Sequence, residues 1–231
     1  MIAALPLSIG GAGALYLSPA LLKRRAIARL RKACVRHGAL CLTYDDGPGP
    51  GVTEALLELL GAFDARATFY APGRRLEPHR AAAERTVARG HELASHGYGH
   101  LHAWKSAPWA LGADLERGAR AVRDVAGPDA VGFRPPYGKL VLPTLLRARG
   151  LGLRVDWWTD DSGDSFAELP ETSPALGLLD RGGGVALLHD LDRSEPRNRF
   201  VLETTRALLE GARERGLRTW TMAELAAAEA G

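Results

Sequence analysis

Two adjacent carboxylates stand where an apolar run of the sequence ends abruptly. The run over residues 39–44 predicts a buried strand, and Asp45 and Asp46 follow it directly. Glycine and proline come next, in the order GPGP, and these residues end a strand. Because neighbouring carboxylates repel each other, we expect a cation or an arginine beside them. An ordinary Asp-Gly turn is the alternative, and the rest of the chain decides between the two.

Other residues that could bind a metal or transfer a proton also come directly after predicted strands. They follow the third, fourth, fifth and sixth strands along the chain: His96 and His100, Arg134, Asp161 and Asp164, and His189. In a parallel sheet the carboxyl ends of the strands meet at one edge, which is where α/β folds hold their sites. The sequence therefore predicts one site built from these residues and the two aspartates.

The spacing of His96 and His100 suits a shared metal ion. Residues four apart lie on one face of a helical turn, so both rings would reach the same ion. A solvated, histidine-rich loop is the alternative, because further histidines lie close by. Two imidazoles and one carboxylate, with positions left open, suit a hydrolytic divalent ion that lowers the pKa of bound water. The second aspartate would then be a general base. The residues alone leave open whether Asp45 or Asp46 binds the ion.

His189 and Arg134 have the chemistry to assist such an ion. Imidazole delivers a proton to a leaving amine near neutral pH, which makes His189 a candidate general acid. A satisfied core histidine is the alternative. Arg134 lies between Phe133 and two prolines, which restrict the backbone at this position. Its guanidinium would suit pairing with a catalytic carboxylate. A surface salt bridge is the alternative for this arginine.

The elements that must position these residues alternate along the chain. Short apolar runs predict seven strands, at residues 39–44, 66–70, 92–95, 130–133, 152–157, 184–189 and 217–220. Longer amphipathic runs predict six helices, at residues 52–63, 77–89, 108–126, 139–149, 198–215 and 222–229. Repeated strand–helix units indicate a parallel sheet that is closed or wound by crossovers. No linker or internal repeat divides this body.

Length and charge limit the class of protein. A chain of 231 residues is long enough for one sizeable core. Its net charge of +3 is concentrated at the N-terminus, because residues 1–36 hold seven basic and no acidic side chains and the remainder is net acidic. The body therefore does not resemble a nucleic-acid binder, and we expect no nucleic-acid partner. Cys34 and Cys41 lack a metal-site spacing, and a disulfide between them is not predicted.

Residues 1–22 carry no charged side chain and are long enough to span a bilayer as a helix. A basic run over residues 23–32 follows directly, on the side opposite to the charges of a signal peptide. We therefore expect a membrane anchor, with residues 1–36 as a separate segment and residues 37–231 as the domain. An apolar helix packed on the domain is the alternative. The positive-inside rule would keep the domain at the cytoplasmic face.

Five motifs occur in the order of a known family: TYDDGP at 43–48, HGYGH at 96–100, RPPYG at 134–138, WTDDSGD at 158–164 and LLHD at 187–190. With them the chain resembles the polysaccharide deacetylases with the NodB homology domain, carbohydrate esterase family 4. The resemblance implies an α/β fold, a distorted, incomplete (β/α)7 TIM-like barrel. It also implies metal-dependent removal of acetyl groups from N-acetylated sugars of a polysaccharide, peptidoglycan or glycolipid.

The resemblance distinguishes the two aspartates. It implies that Asp45 is the general base, oriented by Arg134, and that Asp46, His96 and His100 bind the metal. One divalent ion is implied, with Zn²⁺ as the first choice and Co²⁺, Ni²⁺ or Fe²⁺ as alternatives, since two histidines and a carboxylate suit each of them.

Further roles are implied on the side of the leaving group and of the acetyl group. The backbone N–H of Tyr137 and the metal would stabilise the tetrahedral oxyanion, and Leu187 would line the acetyl pocket. His189 would be the general acid, supported by Asp161 rather than by Asp164.

Two positions depart from the family pattern. Gly97 stands where Ser or Thr is usual, which removes a hydroxyl from the histidine loop, and Ser165 stands where Trp is common in the sugar groove. These departures keep open a second hypothesis, a hydrolase of another C–N bond, such as an amide or ureide, on the same fold. A membrane-tethered carbohydrate-binding protein without turnover is the third hypothesis. Most relatives work in the cell envelope, whereas the charge rule favours the cytoplasmic face of the membrane.

Overall fold

The computed structural model describes the backbone of residues 9–231 and the side chains of residues 19–231. Within this part of the chain one sheet contains eight strands: β1 (Ala39–Asp45), β2 (Ala67–Ala71), β3 (Glu92–Ser95), β4 (Gly132–Phe133), β5 (Arg154–Val155), β6 (Asp160–Asp161), β7 (Gly184–His189) and β8 (Arg218–Thr219). The same part contains nine α-helices: α1 (Ile9–His37), α2 (Val52–Ala62), α3 (Gly73–Leu76), α4 (Arg80–Ala88), α5 (Pro108–Ala126), α6 (Leu142–Gly150), α7 (Gly177–Asp180), α8 (Glu195–Glu214) and α9 (Met222–Ala230).

All strand pairs of the sheet are parallel. The strand order is β5-β4-β3-β2-β1-β7-β6, and β8 pairs with the first residues of β1. The sheet curls without closing, because its two edge strands, β5 and β6, do not pair with each other in the described chain. This architecture confirms the predicted distorted, incomplete (β/α)7 barrel.

The sequence pattern predicts seven of these eight strands and misses β6. The two residues of β6, Asp160 and Asp161, pair with β7 at the edge of the sheet. Two acidic residues followed by a serine carry no apolar alternation, so the pattern contains no signal for this short strand. The strand predicted over residues 152–157 is also shorter than expected, since only Arg154–Val155 pairs with β4.

Strand β1 lies in the middle of the sheet and is buried along its whole length. Alternate side chains of a strand face opposite sides of the sheet. Leu40, Leu42 and Tyr44 therefore pack with α2 and α8 in the main core, whereas Ala39 and Cys41 belong to a second core on the other side. A strand buried on both faces has a continuous apolar sequence, which explains why the pattern predicts β1 correctly.

The C-terminal half of α1 packs into that second core. Ala33 and Cys34 are buried there against Ala39, Cys41 and Val185. Both cysteines are free in the structure. Helix α1 ends at His37, one residue beyond the boundary predicted between residues 36 and 37.

No helix within residues 9–231 is long and apolar enough to cross a membrane. The anchor predicted over residues 1–22 falls partly on residues 1–8, which lie outside the described part of the chain. Membrane anchoring therefore stays a prediction.

Candidate active site

The carboxyl ends of the parallel strands meet at one edge of the sheet, where a cleft opens. In register, Asp45 at the end of β1 lies beside Tyr70 of β2 and His189 of β7. The residues that line the cleft are Asp45, Asp46, His96, His100, Tyr137, Gly138, Trp158, Asp161, Ser165, Leu187, His189, Leu191 and Arg193. The structure thus brings the predicted site residues into one cleft, with Arg134 buried behind Asp45.

Three of these side chains form a group that could hold a metal ion. The ligand atoms of Asp46, His96 and His100 all lie within 4.8 Å of one another. Asp46 Oδ1 is 3.1 Å from His100 Nε2 and 3.8 Å from His96 Nε2. Asp45 Oδ2 lies 3.6 Å from His96 Nε2, so the second carboxylate borders the same group.

His96 is held in the protonation state that a metal ligand needs. Its Nδ1 lies 2.7 Å from the carbonyl O of Arg134, and because a carbonyl only accepts, Nδ1 carries the proton. The lone pair of Nε2 then faces the cleft, which is the arrangement that a backbone carbonyl imposes on metal-binding histidines. Burial lowers the pKa of His96 to about 3, so the ring is neutral at physiological pH. The donor set therefore fits a divalent metal ion.

The two histidines converge through a loop, so the expected helical turn is wrong. Residues 96–100 follow β3 without helical structure, and Gly97 and His100 have left-handed φ values of 74° and 59°. Asp114 of α5 accepts hydrogen bonds from the backbone N–H groups of Tyr98 (3.0 Å) and Gly99 (2.6 Å). A Cβ atom on residue 97 would lie 2.4 Å from Asp114 Oδ2. Asp114 thus occupies the space beside Gly97 and fixes the loop.

Asp45 is paired with an arginine that is completely buried. Arg134 Nη1 donates to Asp45 Oδ1 (2.8 Å) and to Thr43 Oγ1 (2.8 Å), and the guanidinium lies 4.0 Å from the centre of the Tyr70 ring. Arg134 is 0% exposed, which excludes the surface salt bridge considered for it. Burial raises the pKa of Asp45, although the charge of Arg134 opposes the rise. A raised pKa makes this carboxylate a better proton acceptor.

His189 is supported by Asp164, which corrects the expectation that Asp161 supports it. Asp164 Oδ1 lies 2.9 Å from His189 Nδ1, and Asp164 Oδ2 accepts from the backbone N–H of His189 (2.9 Å). Asp161 instead accepts from Gly163 N (2.9 Å). Gly163 has a left-handed φ of 82°, and the chain turns there so that Asp164 returns toward the end of β7.

The pairing of Asp164 with His189 keeps the imidazole protonated. Burial disfavours the charged ring, but the hydrogen bond and charge of Asp164 outweigh this effect and raise the pKa of His189 to about 9. Arg193 Nη2 donates to Asp164 Oδ2 (2.8 Å). Asp164 remains ionised despite its burial, because His189 and Arg193 lower its pKa. The cleft therefore contains both a proton acceptor, the carboxylate of Asp45, and a proton donor, the ring of His189.

Tyr137 and Leu187 lie at the rim and on the floor of the cleft. Tyr137 has a left-handed φ of 57°, and its ring is 55% exposed and lies 4.6 Å from the ring of His100. Leu187 of β7 is 5% exposed. Ser165 also lines the cleft, and the neighbouring Phe166 is 46% exposed.

Comparison with protein families identifies the family of this chain. The family model described as polysaccharide deacetylase matches residues 32–155, more than half of the chain. The chain belongs to the polysaccharide deacetylase family.

This polysaccharide deacetylase family member is similar to several named proteins. The peptidoglycan-N-acetylglucosamine deacetylase PgdA of Listeria monocytogenes is 27% identical over 158 residues, 67% of this chain and 33% of that protein. The chitooligosaccharide deacetylase of Azorhizobium caulinodans is 30% identical over 158 residues, 67% of this chain and 74% of that protein. The solved structure of the chitin deacetylase of Colletotrichum lindemuthianum has a TM-score of 0.70 and 26% identity, covering 81% of this chain and 87% of that one. The chain spans about a third of the length of the first curated relatives.

Three polar residues support the site in this polysaccharide deacetylase family member without a role predicted from the sequence: Asp114, Asp190 and Arg193. Asp190 is buried and accepts from Gly47 N (3.0 Å) and Thr53 Oγ1 (2.7 Å), which fixes the turn after Asp46. Burial raises the pKa of Asp190 to about 7. The sequence places Asp190 directly after the sixth predicted strand, as the last residue of the LLHD motif, but does not indicate its role in the turn. Asp114 and Arg193 carry no local signal.

Proposed function

We propose that this protein is a metal-dependent hydrolase that removes acetyl groups from N-acetylated sugars. The observation that carries the proposal is a single cleft that combines three groups of residues. A possible metal-binding set lies beside a carboxylate paired with a buried arginine and a protonated histidine paired with a carboxylate. Membership of the polysaccharide deacetylase family supports it, as do relatives named as peptidoglycan and chitooligosaccharide deacetylases.

Asp46, His96 and His100 would hold the metal ion. Two imidazoles and one carboxylate suit Zn²⁺, which we propose as the natural ion, and Co²⁺, Ni²⁺ or Fe²⁺ suit the same set. When bound, such an ion lowers the pKa of a water molecule and polarises a carbonyl.

Asp45 would act as the general base. It takes a proton from the attacking water while the water oxygen forms a bond to the acetyl carbonyl carbon. Arg134 holds the carboxylate through Oδ1, and Oδ2 is the oxygen that borders the metal-binding group. The pKa of Asp45, raised by burial, favours proton uptake.

His189 would act as the general acid. As the C–N bond breaks, the leaving amine needs a proton, and the protonated ring supplies it from Nε2 because Nδ1 faces Asp164. Asp164 keeps the ring oriented and charged until that step. Acetate and a free amino sugar are the products, so the proton accepted by Asp45 balances the one that His189 gives.

Tyr137 and Leu187 would contact the acetyl group. The backbone N–H of Tyr137 would stabilise negative charge on the carbonyl oxygen, and such a donor is worth on the order of 10²-fold in rate. Leu187 is buried on the floor of the cleft and would receive the acetyl methyl group.

The substrate class that we propose is an N-acetylated sugar of a polysaccharide, peptidoglycan or glycolipid. Association with a membrane through residues 1–22, a location in the cell envelope or at the cytoplasmic face, and the absence of a nucleic-acid partner stay predictions. Hydrolysis of another C–N bond and carbohydrate binding without turnover are the alternatives that the experiment must separate.

The test is acetate release from N-acetylglucosamine oligomers by the full chain. The metal is removed with a chelator and Zn²⁺ or Co²⁺ is then added back. We expect release that is lost with the metal and restored with it. If the folded, metal-loaded protein releases no acetate from these oligomers, from peptidoglycan fragments or from N-acetylated glycolipids, the proposal is wrong. Turnover of ureides or formamides would then favour the first alternative, and sugar binding alone the second.

A further inference from the structure

Helix α1 reaches the candidate active site through one side chain. Lys23 Nζ donates to the carbonyl O of Gly138 (2.9 Å) and lies 4.8 Å and 4.9 Å from the ring centres of Trp157 and Trp158. Gly138 and Trp158 both line the cleft. An ammonium group from the N-terminal segment therefore contacts two residues of the cleft wall from behind.

The loop that Lys23 contacts has a backbone conformation that needs support. Tyr137 and Gly138 both have left-handed φ values, 57° and 58°, and for a tyrosine this conformation is unfavourable. Such a residue persists only where the surrounding contacts hold it. Gly138 N donates to Pro135 O (2.9 Å) and closes the turn from within. The bond from Lys23 fixes the Gly138 carbonyl from outside the loop.

The contact is also closely packed. A Cβ atom on residue 138 would lie 2.8 Å from Lys23 Nζ and 2.5 Å from the ring of Trp158. The ammonium and the indole thus enclose the turn from two directions, and only a glycine fits between them. Movement of the Lys23 side chain would release the Gly138 carbonyl, which lies one residue after Tyr137.

The position of Lys23 is itself fixed by the packing of α1. Arg31 Nη2 donates to the carbonyl O of Thr159 (3.1 Å), so α1 lies against the segment that joins the two edge strands β5 and β6. Further along the helix, Ala33 and Cys34 are buried in the second core. At its end, His37 Nε2 lies 2.8 Å from Glu229 Oε1 of α9. Helix α1 thus covers the open side of the incomplete barrel.

We propose that Lys23, which the packing of α1 holds against the Gly138 carbonyl, is a positioning residue for the reaction. By holding the Gly138 carbonyl, Lys23 keeps the N–H of Tyr137 directed at the oxygen on which negative charge develops. This inference rests on the proposed deacetylase function. A donor that is displaced rather than removed still stabilises the transition state in part.

The experiment compares four metal-loaded, full-length proteins: wild type, Lys23→Met, Lys23→Arg and Lys32→Met. Methionine keeps the apolar stem of the side chain against the two tryptophans, and arginine keeps the charge and the donor. Lys32 is exposed on the same helix and serves as the matched control. Two measurements are made: steady-state kinetics on N-acetylglucosamine oligomers, which give kcat and KM, and amide hydrogen exchange of residues 137–141.

We expect Lys23→Met to lower kcat about tenfold with little change in KM, because the affected interaction forms in the transition state. The same variant should exchange faster at residues 137–141. Lys23→Arg should regain most of the kcat, and Lys32→Met should match the wild type in both measurements.

Unchanged kcat in Lys23→Met overturns the inference, whether or not the loop exchanges faster. An equal loss of kcat in Lys32→Met also overturns it, because the effect would then belong to the charge of the helix. If the wild type itself releases no acetate, the proposed function fails, and the exchange measurement still decides whether Lys23 holds the loop. Unchanged exchange in that case ends the inference as well.

Discussion

At the scale of single residues, two buried pairs shift proton affinities in the directions that the proposed amide hydrolysis needs. Burial raises the pKa of Asp45 against the opposing charge of Arg134, which favours proton uptake. The pKa of His189 is raised to about 9 because Asp164 outweighs the effect of burial, which favours a charged ring. Environments that adjust two titratable groups for opposite tasks identify a base and an acid.

The first prediction concerns the partner of His189. Asp164→Asn removes the charge that raises the pKa of the imidazole, so the ring loses its proton at lower pH. We expect kcat to fall on the order of 10²-fold, as for loss of general acid catalysis. We also expect the alkaline limb of the pH profile of kcat/KM to move to lower pH, since the reaction needs the protonated ring.

Asp161→Asn is the matched control for this prediction, because Asp161 lies in the same loop and lines the cleft but accepts from Gly163 N. Its pH profile should keep the alkaline limb of the wild type. An alkaline limb that moves in Asp161→Asn and stays in place in Asp164→Asn would restore Asp161 as the supporting residue.

The sequence locates these residues but does not assign a role to each of them. Asp45, His96 and His189 are recognised because each lies at the carboxyl end of a predicted strand or directly after it. Asp161 and Asp164 follow the same predicted strand and lie three residues apart. The turn at Gly163 determines which of them contacts His189. Its left-handed φ of 82° is a backbone conformation that no local pattern predicts beyond the presence of a glycine.

At the scale of elements, strand ends carry several residues of the candidate site, and helices fix loops that carry others. The histidine loop is the clearest case, because Asp114 of α5 binds two consecutive backbone N–H groups of that loop. Groups that orient metal ligands from behind change metal affinity without touching the ion.

The second prediction tests this support from α5. Asp114→Ala leaves the N–H groups of Tyr98 and Gly99 without their acceptor, so His96 and His100 are held less firmly. We expect metal affinity to fall by about 10-fold to 100-fold, measured by competition with a chelating indicator. At saturating metal, kcat should recover toward the wild-type value.

Asp124→Ala provides the control, since Asp124 is exposed near the end of the same helix. Its metal affinity should equal that of the wild type. Equal affinity in Asp114→Ala would mean that the loop keeps its conformation without α5.

Strands with apolar residues are predicted from the sequence even where they are short, and the acidic strand β6 is not. Strands β1 and β7 were predicted because apolar residues run through them, whereas β6 is an acidic pair at the edge of the sheet. The spacing of the histidines suggested a helical turn, but the loop uses left-handed residues to bring the rings together. Periodicity detects burial, and it gives no information on how a loop turns.

At the scale of the whole molecule, the N-terminal helix α1 packs against the open side of the incomplete barrel. The seven basic residues of the N-terminal segment suggested a separate segment next to a membrane anchor. In the structure, Lys23 and Arg31 donate to the carbonyls of Gly138 and Thr159, so part of this charge serves contacts within the fold. Composition reports the number of charges, and only the packing shows what they contact.

The central claim is that one aspartate binds the metal and the other accepts the proton. The most direct test measures metal content and acetate release on the same samples of wild type, Asp45→Asn and Asp46→Ala. We expect Asp45→Asn to retain the metal while turnover falls by at least about 10²-fold, and Asp46→Ala to lose metal and turnover together. If Asp45→Asn loses the metal as readily as Asp46→Ala, the division of roles between the two aspartates is contradicted.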